Sequence, residues 1–150
     1  MAATLGIDFG THRCHMAAVV DGQLRALLGR NGKATNSTIV LARDDILIGV
    51  NAAKHIGRAI DNCNRLLGRK FNSPEIGWLS SYCAYSMVEA ENGDIRIPIG
   101  KRHFSPEELC SFLLAALYDD AVKQLGQVPL AINISVPAVA NKVQRLAILQ

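Results

Sequence analysis

The sequence predicts a layered α/β domain with a smaller α+β region inserted at its edge. Three observations carry that prediction. Short apolar runs separated by hairpin signals open the chain; a long capped helix, a nearly continuous apolar run and a further helix close it; short, weakly periodic segments lie between them.

Thr4 to Phe9 is a short apolar run closed by Gly10. Cys14 to Val20 is another, closed by Asp21-Gly22, a pair that supplies the positive backbone angles of a tight hairpin turn. Leu24 to Leu28 follows as a third strand, which makes a meander. Thr38 to Leu41 and Ile46 to Ile48 flank Arg43-Asp44-Asp45 as a second hairpin. Asn51 to Gly68, "NAAKHIGRAIDNCNRLLG", reads as a helix interrupted at Gly57 and broken near Asp61-Asn62. Tyr82 to Ala90 and Asp94 to Ile99 alternate around Asn92-Gly93 as a third hairpin.

The character then changes. Ser105 is an N-cap, Pro106 takes the first helical position and Glu108 completes a capping box. Leu109, Phe112, Leu113, Ala116 and Leu117 share one face, and Gly126 stops the helix. Leu130 to Val136 is apolar enough for a strand covered on both faces, and Pro137 ends it. A last helix is expected from near Val139. The hairpin at Asp21-Gly22 and the strand ending at Val136 are expected in one sheet.

Composition narrows the function. At 150 residues and 49% hydrophobic, the chain has enough apolar material for the core of one domain, of two subdomains. Sixteen basic against thirteen acidic residues leave a net charge of +3, scattered without a basic stripe, so no nucleic-acid partner is expected. The start "MAATLGIDFG" has no leader pattern, and the longest apolar stretch, Leu109 to Leu117, is too short for a membrane span. The expectation is a cytoplasmic protein with no membrane partner. Cys14, Cys63, Cys83 and Cys110 form no C-x-x-C pair and read as reduced thiols. In "THRCH" strand alternation puts only His12 with Cys14 on one face, and two ligands do not make a zinc site.

The stretch "LGIDFGTHRCH" holds the chemistry. Its Asp8-Phe9-Gly10 is not a protein-kinase magnesium motif, which follows a glycine-rich loop, a strand lysine and an H-R-D loop. A strand ending in Asp8, with Gly10 and Thr11 in a tight turn, lets backbone N–H groups and a hydroxyl approach phosphate oxygens while the carboxylate faces magnesium or its waters. The same residues also make an ordinary β-turn.

Six ordered pieces widen the context: "GIDFGT"; "LIG" with "AAK"; "RLLGRKF" with "PEI"; "VEAENGD"; "FSPEELCSFLLAALYDDAVKQLG"; and "ISVPA" with "NKVQR". In this order and near this spacing, the chain resembles the first lobe of the nucleotide-binding domain of DnaK-type chaperones, the heat shock protein 70 family. The resemblance implies an actin-like ATPase (ribonuclease H-like) fold, with a mixed five-stranded sheet and a smaller inserted α/β subdomain. The main subdomain would take about 1–31 and 105–150, and the insertion about 32–104. It implies ATP/ADP and Mg2+ as cofactors, with Asp8, Gly10, Thr11, His12 and Arg13 binding the cofactor and Asp8 facing the metal. Position 64 would be catalytic, and Pro137 and Arg145 would relay nucleotide state. The implied partners are a J-domain co-chaperone, a nucleotide exchange factor and unfolded peptide clients. The clients bind a domain that, like the second lobe, is expected to lie outside these 150 residues, which leaves the ATP site incomplete.

Departures from the family pattern matter as much. His12, Arg13 and Cys14 replace the later residues of the phosphate loop. Asn64 stands where the family has a lysine that reaches the γ-phosphate, and an amide cannot supply that cation. A slipped register would offer Lys54 or Lys70 instead, and Arg13 is a competent phosphate partner. The aromatic pair that follows the family's proline-alanine is Val139-Ala140 here. Trp78 and Tyr82 read as subdomain packing, Asp119-Asp120 as a solvated helix face, and His55 and His103 as surface residues. The leading function is thus the ATPase lobe of a chaperone, hydrolysis-deficient at position 64. The alternatives are a non-hydrolysing nucleotide-sensing or interaction module of the same origin, and an actin-like or sugar-kinase relative.

Overall fold

A computed structural model describes residues 2–42, 45–55, 59–138 and 140–149. Strands β1 (Ala3–Phe9), β2 (Arg13–Val20) and β3 (Gln23–Leu27) form the opening meander. Asp21 at φ 50° and Gly22 at φ 79° turn the second hairpin of that meander, as the sequence predicts. Short β4 (Thr35–Asn36) pairs with β2, and β10 (Ala131–Ile134) lies parallel to β1, with Leu5 opposite Ile132. The order β10-β1-β2-β3, with β4 beside β2, makes this sheet mixed, and it holds both the Asp21-Gly22 hairpin and the late strand.

One face of the sheet is the floor of the core. Alternation on β1 buries Ala3, Leu5, Ile7 and Phe9, and their antiparallel partners Val20, Ala18, Met16 and Cys14 are buried beside them. Helix α3 (Pro106–Leu125) contributes Leu109, Leu113 and Leu117 to the same cluster. Burial of a leucine side chain is worth about 1.5–3 kcal/mol, so this stripe alone anchors the helix. Its start and stop are the predicted ones. Ser105 Oγ accepts from the Glu108 N–H, Glu108 Oε2 accepts from the Ser105 N–H, and Gly126 closes the helix at φ 66°.

The middle of the chain holds two small sheets. Strands β5 (Ile39–Ala42) and β6 (Asp45–Ile48) pair across residues 43 and 44, so the tip of that predicted hairpin lies outside the described residues. The helix expected over 51–68 is corrected. Helix α1 is only Val50–Ala53, Gly57 lies outside the described residues, Ile60 bridges to Ile39, and Cys63–Arg65 form one 3-10 turn. Asn62 at φ 56° cannot continue a helix, and the bridge to Ile39 takes up the backbone instead. Helix α2 (Pro74–Ser80) was not expected. Strands β7 (Val88–Glu89), β8 (Ile95–Ile99) and β9 (Arg102–Phe104) form the third sheet, with β7 much shorter than the run from Tyr82 predicts.

Three burial expectations also change. Leu130 and Ile132 are exposed, at 80% and 45%, because β10 sits at the sheet edge with no described element over it. Asp120 is buried and bonded to Arg30 Nε at 2.8 Å, and only Asp119 is solvated. Trp78 and Tyr82 are exposed and pack on each other with ring centroids 4.8 Å apart. Helix α4 (Lys142–Ile148) starts after Asn141, which caps it; Val139 is outside the described residues. No helix among the described residues is long and apolar enough to cross a membrane.

Candidate functional site

The turn between β1 and β2 is built for close backbone approach. A Cβ on Gly10 would lie 2.2 Å from the Arg13 carbonyl oxygen, so only glycine fits. The Gly10 carbonyl accepts from the buried Ser37 hydroxyl at 2.7 Å, and the Ser37 N–H donates to the His12 carbonyl at 3.1 Å. Cys14, also buried, lies under the turn with its sulfur 3.3 Å from Ser37 Oγ. Burial pushes its thiol up, so it stays neutral. Among the described residues the N–H groups of Gly10, Thr11 and His12 have no acceptor. Consecutive free donors of this kind, with the Thr11 hydroxyl, fit an anion.

Asp8 is on the opposite side of β1 from the core and is exposed. One carboxylate oxygen accepts from Ser135 Oγ at 2.6 Å, and the other is 3.7 Å from His15 Nδ1. The Ser135 oxygen in turn accepts from the Phe9 N–H at 3.2 Å, which locks the ends of β1 and β10 together. An exposed carboxylate beside one hydroxyl offers hard oxygens of the kind that suit magnesium through its waters.

Asn64, in the 3-10 turn, reaches the same place. Its Nδ2 donates to the Phe9 carbonyl at 3.2 Å, while its Oδ1 is buried with no partner. A cavity of about 620 Å³ opens beside it. Thr11, Asn64 and Pro137 are on its wall, together with Arg65, Arg69 and Trp78. Asp8, Gly10, His12, Arg13 and Arg145 are not. His12 and Arg13 are exposed on the turn, and Arg145 donates from Nε to the Ala140 carbonyl at 3.0 Å. Neither alternative lysine lines the cavity: Lys70 Nζ is 2.6 Å from Asp94, and Lys54 is exposed beyond α1.

Sequence reasoning missed several of these contacts. Ser135 is inside the quoted "ISVPA", yet its two bonds reach across 127 and 126 positions and leave no local signal. Trp78 lines the cavity with its exposed ring against Tyr82 and is not buried in the subdomain, and Arg69 is held by Glu75 at 3.0 Å.

Fold and site define a mixed α/β domain whose first hairpin turn, rich in free N–H groups, adjoins a ligand-sized cavity. The family model for "Hsp70 protein" matches residues 4–150, and the chain belongs to that family. It is 36% identical over 157 aligned positions to "Chaperone protein DnaK" of Akkermansia muciniphila, covering 98% of this chain and 24% of that protein. It is 28% identical over 151 positions to "Mitochondrial-type heat shock protein 70" of Encephalitozoon cuniculi, covering 97% of this chain and 26% of that protein. The chain thus spans about a quarter of the length of these curated relatives. Membership of the Hsp70/DnaK chaperone family implies the actin-like ATPase fold, and the mixed sheet agrees with it.

Proposed function

We propose that the chain is the first lobe of the ATP-binding domain of an Hsp70-like chaperone, in which position 64 no longer supports hydrolysis. Its main subdomain, about 1–31 and 105–150, contributes β1, β2, β3 and β10 of the mixed sheet, and about 32–104 is the inserted subdomain, whose first strand, β4, adds the fifth. Bound ATP with magnesium would supply the reactive phosphate. The N–H groups from Gly10 to His12 and the Thr11 hydroxyl would hold its oxygens, Arg13 would add positive charge, and Asp8 would hold the metal or its waters. Pro137 and Arg145 would pass nucleotide state to a peptide-binding domain. A J-domain co-chaperone, an exchange factor and unfolded peptides would be the partners, in the cytoplasm.

The observation that supports the reading is the bond from Asn64 to Phe9, an uncharged amide beside the turn to which we assign the phosphate, inside a family match over residues 4–150. It also favours a second reading, a nucleotide sensor that never hydrolyses.

Two measurements test it. Calorimetry of the chain with magnesium-ATP should give a dissociation constant weaker than about 10 micromolar, roughly 7 kcal/mol, because one lobe grips only part of the nucleotide. Grafted onto the remainder of the Akkermansia DnaK, the chain should bind nucleotide but turn over slowly. Asn64→Lys in that graft should raise turnover on the order of 100- to 1000-fold with little change in affinity. Turnover unchanged in Asn64→Lys but abolished by Arg13→Ala would overturn the role given to position 64.

A further inference from the structure

We propose that Cys63 and Cys110 form a redox-responsive thiol pair, which a peroxide-class oxidant converts into a disulfide joining the 3-10 turn to helix α3. The two residues are 47 apart in sequence, and the packing of α3 on the 3-10 turn brings their sulfurs to 3.4 Å. Both are free thiols in the core, with exposures of 1% and 3%. A disulfide is about 2.05 Å long, so the sulfurs need to close by only a little over 1 Å, within reach of small side-chain rotations.

The other cysteines are engaged elsewhere. Cys14 has the Ser37 hydroxyl and the Gly10 carbonyl as its neighbours, and Cys83 is outside the core cluster. Buried cysteines often serve as small apolar fillers. What sets this pair apart is the direction of its hydrogen bond. The Cys110 S–H donates to the Cys63 sulfur, and among the described residues it has no other acceptor. That bond and burial push the Cys110 thiol up, so its proton stays in place. With the Cys110 proton held by this contact, we assign Cys63 as the attacking sulfur and Cys110 as the resolving one.

The chemistry balances with one peroxide. The Cys63 thiolate attacks a peroxide oxygen, the O–O bond breaks, and the departing hydroxide takes up the proton Cys63 released, leaving water and a sulfenic acid. The Cys110 sulfur then attacks the Cys63 sulfur. The S–S bond forms, the S–O bond breaks, and the hydroxyl leaves as water with the Cys110 proton. Two thiols and one peroxide give one disulfide and two waters. Burial makes the first step slow, because the oxidant enters only when α3 and the turn part locally. The pair thus answers sustained oxidant, and its product fixes the residue next to Asn64 to the long helix.

The test is peptide mapping. The reduced chain is treated with hydrogen peroxide in native buffer, its remaining thiols are alkylated in denaturant, and it is digested without reductant. The expected result is a loss of two hydrogen masses, a linked peptide pair carrying Cys63 and Cys110, an alkylated Cys14, and reversal by dithiothreitol. The oxidised chain should melt about 5–10 °C higher, as a cross-link of this loop length should produce. Cys110→Ser should stop at a Cys63 sulfenic acid that dimedone traps, and Cys63→Ser should leave Cys110 unoxidised over the same period. Alkylation of both residues after Cys83 has been oxidised would overturn the proposal. So would a link from Cys63 to Cys14 or Cys83, or a link that forms only in urea. The map of the unsubstituted chain decides the matter even if a variant fails to fold.

Discussion

The side-chain amide of Asn64 donates to the main-chain carbonyl of Phe9, so the 3-10 turn is pinned to the last residue of β1. The contact uses the nitrogen and leaves the oxygen buried and unpaired. Asn64→Ala removes one hydrogen bond and one orphaned acceptor together, and should cost about 1 kcal/mol or less. Asn64→Asp has the same shape but sets a carboxylate oxygen against the Phe9 carbonyl, and should cost about 2 kcal/mol or more. Urea denaturation of the two variants checks the order; a more stable Asp variant would mean that the amide does not hold Phe9.

Gly68 and Gly100 have nearly the same backbone angle, φ 64° and 61°, in different surroundings. A Cβ at Gly100 meets nothing, whereas at Gly68 it would come within 2.9 Å of the Gln144 backbone nitrogen and 3.0 Å of the Val143 carbonyl carbon. Gly100→Ala should therefore cost about 1–2 kcal/mol, the price of the left-handed conformation alone. Gly68→Ala should cost roughly 2 kcal/mol more, because α4 must move. Thermal unfolding gives the difference, and hydrogen exchange should show the extra loosening confined to residues 141–149.

The Lys70 ammonium, 2.6 Å from Asp94, holds that carboxyl below its ordinary value of 3.8, with Asn92 assisting. A carboxyl depressed in the folded state stabilises fully above its unfolded value and loses that contribution as pH falls through the lower folded value. Asp94→Asn should thus be less stable than the parent chain at neutral pH and equal to it in strongly acid solution. More than a third of the Asp94 side chain is exposed, so the gap should stay under about 1 kcal/mol. Denaturation midpoints across the acid range measure it.

Ser105→Ala removes the hydroxyl that accepts from the Glu108 N–H at 3.1 Å and should cost about 1 kcal/mol, whereas Ser105→Asp should retain most of the stability. Loss of helicity at the start of α3, read by amide exchange at residues 106–109, is the accompanying sign.

What could be read from the sequence divides by the range of the forces involved. The ends of α3 follow from Ser105, Pro106, Glu108 and Gly126, all within a turn of the places they act on. The Asp21-Gly22 turn is equally local. The stretch from Asn51 to Gly68 misleads because Ala52, Ile60, Cys63, Leu66 and Leu67 are spaced as a helix would space them, while its backbone is claimed by Ile39, 21 positions earlier. Asp120 looks solvated until Arg30 arrives from 90 positions away. The start of α2 has a local mark that sequence reasoning missed, Pro74 in its first turn after Ser73, although the Ser73 hydroxyl donates to the Lys70 carbonyl and does not cap the helix. The candidate site follows the same rule. Gly10 and Thr11 declare a tight turn by themselves, but the clasp of Ser135 on Asp8 and the cavity wall at Trp78 exist only once the chain has folded back on itself.

Trp78 is the one tryptophan of the chain, 57% exposed, tilted against Tyr82 and on the same wall as Thr11 and Asn64. The molecule therefore carries its own optical gauge at the mouth of its cavity. Ultraviolet emission from the whole chain comes largely from this wet indole, and Tyr82 is close enough to hand it excitation. Whatever enters strips water from the ring and moves the emission toward the blue, so occupancy can be followed by eye of the spectrometer alone, with no dye attached and no residue changed.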